Sequence, residues 1–156
     1  LYNHPKIKAH VSLTKGEGFG RPLLEASVSG KPVIASGWSG HMDFLNPEDA
    51  VLVGGELAPI HPSSVWDNIL IKESLWFRPD IQQAANALAG VFMDYETFHK
   101  KAKKLGKENF KKFSYTTIQQ RTWELLDKYV PEFPKQVPIK LPTLKKIDLP
   151  TLKKSE

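Results

Sequence analysis

Gly16-Glu17-Gly18-Phe19-Gly20-Arg21-Pro22-Leu23-Leu24-Glu25-Ala26 decides what kind of chain this is. Three glycines alternate and then give way at once to a helix-like segment, Arg21 to Ser29, with Pro22 suited to its first turn and Gly30 just past its end. A short apolar run, Ala9 to Leu13, precedes the loop, and another, Pro32 to Ala35, follows the helix. Both read as strands bounded by polar residues, Gly or Pro. Strand, glycine loop, helix and strand make a βα unit of a mostly parallel sheet, so the expected class is α/β.

The same run carries the candidate chemistry. Glycines allow backbone to approach a ligand more closely than a side chain would permit. The first turn of the helix offers unpaired amides and the positive end of its dipole, where a diphosphate can sit without a basic side chain. Glu17 and Glu25 frame the loop, and carboxylates accept hydrogen bonds from the vicinal hydroxyls of sugars and riboses. Taken alone, the pattern also fits a plain turn followed by a helix whose Glu25 faces solvent.

Outward from this unit, Ala50 to Val53 is expected to be a third strand, and a helical stretch should begin near Ser39 and stop before Pro47. Residues Gly54 to Ser64 read as irregular. After Pro79 the pattern becomes helical over Asp80 to Val91, Asp94 to Leu105 and Tyr115 to Tyr129. The last of these places Ile118, Leu125, Leu126 and Tyr129 roughly on one face, predicting that these helices pack on the sheet and on each other. Prolines at 131, 134, 138, 142 and 150 then forbid a long helix. Leu141-Pro142-Thr143-Leu144-Lys145-Lys146 recurs as Leu149-Pro150-Thr151-Leu152-Lys153-Lys154, too few copies for a solenoid. The expected organisation is one domain over 1–130 and a Pro/Lys-rich tail over 131–156.

With 156 residues, two fifths of them hydrophobic, the chain holds one ordinary core. It has no cysteine, which excludes disulfides and thiolate sites and suits a reducing compartment, so cytoplasm is expected. The histidines His4, His10, His41, His61 and His99 show no metal-ligand spacing, and no metal is expected. No apolar run approaches membrane-spanning length. The net charge of +5 is concentrated in Lys100 to Lys112 and in the tail. Lysines without interleaved arginines or stacking aromatics make a poor base-reading surface, so nucleic acid is not an expected partner; a solvated face is the plain reading, attraction to anionic sugars, lipids or polymers the other. No Gly-x-Ser-x-Gly elbow supports a hydrolase, and the glycines do not match the dinucleotide fingerprint.

Glu17 to Glu25, embedded in E-G-F-G-x-P-x-x-E-A and followed by G-K-P-V-I-A, resembles the Glu-x7-Glu pattern of the retaining GT-B glycosyltransferases (group 1 family). The loop Ser36 to Leu45 is similar to the Gly-rich turn that follows in many members. The resemblance covers Lys8 to Val53, is weaker through the C-terminal helices and says nothing about the tail. It implies a partial GT-B C-terminal, Rossmann-like domain that binds a nucleotide-diphosphate sugar as substrate, without a cofactor. Glu17 would face the transferred sugar as the catalytic, sugar-positioning carboxylate. Gly18, Phe19 and Gly20 would form the donor loop, with the Phe19 and Gly20 amides on the sugar hydroxyls. Leu23 and Leu24 would lend amides to the diphosphate, and Glu25 would bind the ribose hydroxyls. Trp38, Ser39, Gly40 and His41 are further donor-loop candidates, although a surface or loop-bracing histidine is the better reading of His41 and a packing residue the better reading of Trp38. The implied reaction retains anomeric configuration, moving a hexose to a saccharide or other acceptor. The family's acceptor-binding N-terminal domain and its Arg and Lys diphosphate clamp would precede this stretch, so a missing domain partner or a homo-oligomer is expected. The rival readings are a non-catalytic nucleotide- or glycan-binding remnant and an interaction module that docks through its lysine-rich tail.

Overall fold

The computed structural model describes residues 2–131. Of the expected tail only Pro131 is described; its Leu-Pro-Thr-Leu-Lys-Lys repeat and the rest of 132–156 lie outside the described residues. The three expected strands form as His10–Ser12 (β1), Val33–Ser36 (β2) and Val51–Val53 (β3), and Arg21–Val28 is the intervening helix α1. They make a parallel sheet in the order β1-β2-β3, with His10 opposite Val33 and Ile34 opposite Val51. Every residue of β2 is buried, as a central parallel strand covered on both faces requires.

Because successive strand residues point to opposite faces, β2 feeds two cores. Val33 and Ala35 join Leu23 and Ala26 of α1, Phe44, Leu45 and Ala50 on one side. Leu105, from helix α3 (Tyr95–Lys112), closes that layer. Ile34 and Val53 meet Ala84 and Val91 of helix α2 (Ile81–Met93) on the other side. Full burial of a leucine such as Leu23 contributes about 2 kcal/mol, so these contacts fix the helices on the sheet. The helix starts follow the expected residues closely, since Asp80 and Asp94 cap α2 and α3 by accepting the amides of Gln83 and Thr97. Helix α4 spans Tyr115–Tyr129, capped by Ser114.

Three expectations are corrected. Residues Gly55–Pro59, within the stretch read as irregular, are a strand (β4) paired antiparallel with Leu75–Pro79 (β5). Glycine and prolines sit at the ends of this ladder, where they look like loop residues in sequence but interrupt no central pairing. The helix expected from Ser39 shrinks to a single 3₁₀ turn, Gly40–Asp43. Asn46 ends it, its side chain taking the Asp49 amide at 2.8 Å and giving the backbone another turn to adopt. Finally, α4 buries none of its residues among those described, and Ile118, Leu125, Leu126 and Tyr129 are exposed. It joins the body at its start, where Thr117 Oγ1 donates to the Lys111 carbonyl, and then leaves it.

A buried carboxylate ties α3 to the turn before β3: Lys104 Nζ donates to Asp49 Oδ2 at 2.9 Å. Burial pushes the Asp49 carboxyl up, but hydrogen bonds from Lys104 and Asn46 and the charges of Lys104 and Lys101 outweigh it and hold the group below its usual range. A carboxyl depressed by folding stabilises the native state above its unfolded value, about 3.9, and loses that contribution as pH falls through the lower native value. Thermal melts are therefore expected to lose stability below about pH 4, and Asp49→Asn should be less stable at neutral pH and flatten that acid limb.

Candidate functional site

Ligand-bearing loops of open α/β sheets lie at the carboxyl ends of the strands. Here those ends carry the loop between β1 and α1, containing Glu17 to Gly20, and the loop after β2, containing Gly37 to His41. The two are clasped. Ser39 Oγ accepts the Glu17 amide at 2.8 Å and donates to the Glu17 carbonyl at 2.6 Å, while the Gly40 amide donates to the same carbonyl at 3.0 Å. Ser39 reaches this position at φ 91° and ψ −170°, a region that non-glycine residues avoid at a cost of about 1–3 kcal/mol. The clasp offsets that strain.

His41 lies fully buried beneath the loops, with Nε2 2.6 Å from the Ser36 carbonyl oxygen. A carbonyl only accepts, so Nε2 carries the proton, and the ring braces the β2 loop rather than reaching a donor. Its Nδ1 is buried and meets no partner among the described residues. Gly20 sits above it with φ 82°, and a Cβ there would come within 3.0 Å of the His41 Cβ and 3.2 Å of Leu23 Cδ1. The left-handed turn at Gly20 starts α1 and brings the loop down onto the histidine.

What this leaves open is backbone. Among the described residues, no acceptor meets the amides of Gly18, Phe19, Gly20 or Arg21. The Phe19 ring is turned away onto Phe44 and Phe113, at centroid distances of 5.2 and 5.7 Å. The amides of Leu23 and Leu24 are not open, since both donate to the Gly20 carbonyl, at 2.9 and 3.1 Å. The cradle of unsatisfied donors therefore lies earlier than expected, because the first turn of α1 closes on Gly20.

Glu17 is half-buried at the base of the cradle. Glu25 is exposed one turn further along α1, where Arg21 Nε donates to its Oε1 at 2.8 Å. That hydrogen bond and the glutamate's charge raise the arginine's already high pKa. Trp38 is half-exposed, stacks parallel on Phe77 at 6.0 Å and packs against Gly16. Lys15 Nζ stands 3.5 Å over the Trp76 ring, a cation–π contact. Sequence reasoning missed Trp76 and Phe77 as neighbours of the loops; the short apolar, aromatic-rich run Leu75-Trp76-Phe77, closed by Pro79, was the signal for their strand.

No protein-family model matches the chain, and no curated protein matches it. Its fold is similar to that of HepE from Anabaena, seen in a crystal structure in complex with UDP, with a TM-score of 0.53 and 22% sequence identity. The match covers 74% of this chain and 26% of HepE, so the chain spans about a quarter of that protein's length. At this identity the likeness establishes a shared α/β fold.

Proposed function

We propose that this chain is the donor-binding portion of a retaining glycosyltransferase, holding a nucleotide-diphosphate sugar whose hexose passes to a saccharide or other acceptor. The observation that carries this reading is the run of four acceptor-free amides, Gly18 to Arg21, at the N-terminus of α1 beside Glu17. A diphosphate placed there meets backbone donors and the helix dipole, and the same donors stabilise the charge that grows on the leaving group. Glu17 accepts bonds from the sugar hydroxyls and orients the ring, so its contribution is positioning. Glu25 takes the ribose hydroxyls with the oxygen that Arg21 leaves open. The similarity to a fold solved with UDP supports the choice of nucleotide diphosphates as the first ligands to test.

Titration calorimetry of the full chain with UDP, GDP and ADP and their sugars tests the reading. One nucleotide is expected to bind selectively, and Glu25→Ala to weaken it by about tenfold or more, the effect of losing hydrogen bonds to a charged group. Unchanged affinity in Glu25→Ala would remove the ribose role, and no binding by any of the nucleotides would remove the donor site from this chain.

A further inference from the structure

Helix α3 carries a second surface, unrelated to the donor loops. Lys100, Lys103, Lys107 and Lys111 recur at three- and four-residue spacing, which aligns them along one stripe of the helix about 16 Å long. All four are exposed, and among the described residues none has a carboxylate within ion-pair distance. Their neighbours differ: Lys104 is bound to Asp49, and Lys112 donates to the Asp43 carbonyl. Like charges at these spacings repel by a few tenths of a kcal/mol per pair; Glu96 and Glu108 on the same helix soften this at the two ends of the stripe without forming an ion pair with any of the four.

Apolar groups stand beside the stripe. Phe110 is 67% exposed and Val28, at the end of α1, is 37% exposed. With Lys103 and Lys107 they line a shallow groove of about 570 Å³ where Gly106 of α3 lies against the end of α1. A face that joins a row of unpaired ammonium groups to an exposed aromatic ring suits a surface that is anionic outside and apolar just beneath. Nucleic acid would favour arginines and stacking platforms, and the stripe has no arginine.

We propose that this face docks on an anionic phospholipid surface. It lies at the C-terminal end of α1, about 12 Å along that helix from the glycine loop, so docking leaves the donor loops open to solvent.

Co-sedimentation of the full 156-residue chain with phosphatidylcholine vesicles, with and without phosphatidylglycerol, tests this. Binding is expected only with the anionic lipid and should fall at high salt. Neutralising Lys103 and Lys107 to Gln should weaken it roughly 25-fold, about fivefold per lysine. Phe110→Ala should weaken it by a smaller factor with the salt dependence intact. The tail lysines remain in every variant, so binding that survives the double change overturns the proposal, as does failure to bind anionic vesicles. Tighter binding to a duplex oligonucleotide than to anionic vesicles at the same salt overturns it in favour of nucleic acid.

Discussion

Gly40→Ala is expected to destabilise the fold by about 3 kcal/mol, the upper part of the range for overpacking a tight contact. A Cβ at Gly40 would collide with the carbonyl oxygen of Gly18 and approach the Glu17 carbonyl oxygen to 2.9 Å. Both obstacles are backbone, which cannot swing aside as a flexible side chain would. The loops must then part, and parting breaks the Gly40 amide bond to Glu17 together with the two-way contact of Ser39. The melting temperature should fall by about 10 °C for a chain of this size, and affinity for the nucleotide selected by titration should drop along with it. Gly18→Ala is the matched control, since its added Cβ meets nothing within 4 Å. It should leave the melting temperature within about 2 °C of wild type, as surface changes do, while a side chain placed at the open amides still obstructs the ligand. Equal stability of the two variants would mean that the loops do not abut.

That contrast shows why the site was half legible in the sequence. Glycines 16, 18 and 20 announce a loop and α1 a helix, because alternation and helix punctuation are local signals. Which glycine is indispensable is a tertiary matter, decided by the approach of Gly40 to a loop 22 residues away. The strained Ser39 was equally hidden, as its backbone conformation follows from its hydroxyl bridging Glu17 rather than from any local preference. His41, read as either a loop brace or a donor contact, is placed as a brace by its bond to Ser36.

The sheet and helices were readable where the pattern repeats within a few residues, and unreadable where the partner is remote. The three parallel strands and the capped starts of α2 and α3 emerged because each carries its own apolar run or capping aspartate. The β4–β5 ladder did not, since Glu56-Leu57-Ala58 becomes a strand only by pairing with Trp76 to Arg78. In α4 the failure runs the other way. Its helical spacing is correct, but periodicity predicts an apolar face without saying that anything covers it, and among the described residues nothing does.

Asn109→Ala is expected to cost about 3 kcal/mol, although no ligand or loop glycine is touched. Asn109 is 3% exposed, and its Nδ2 donates at 3.0 Å both to Ser27 Oγ and to the Phe44 carbonyl. Ser27 in turn donates to the Leu24 carbonyl at 2.7 Å, so one amide group joins α3, α1 and the turn after Gly40. Truncation leaves a buried carbonyl without its donor, at about 1–3 kcal/mol, and opens a small cavity that adds to it. Asn109→Asp keeps the volume but turns a double donor into an acceptor facing two oxygens, so at neutral pH it should be worse than alanine. Burial among acceptors raises the introduced carboxyl's pKa, and protonation restores one donor. Asn109→Asp should therefore gain stability relative to Asn109→Ala as pH falls through that raised value, opposite in sign to the Asp49 effect. Denaturant unfolding of both variants at neutral and mildly acidic pH checks this, and a pH-independent gap between them would mean that the Asn109 amide is not the donor to Phe44 and Ser27.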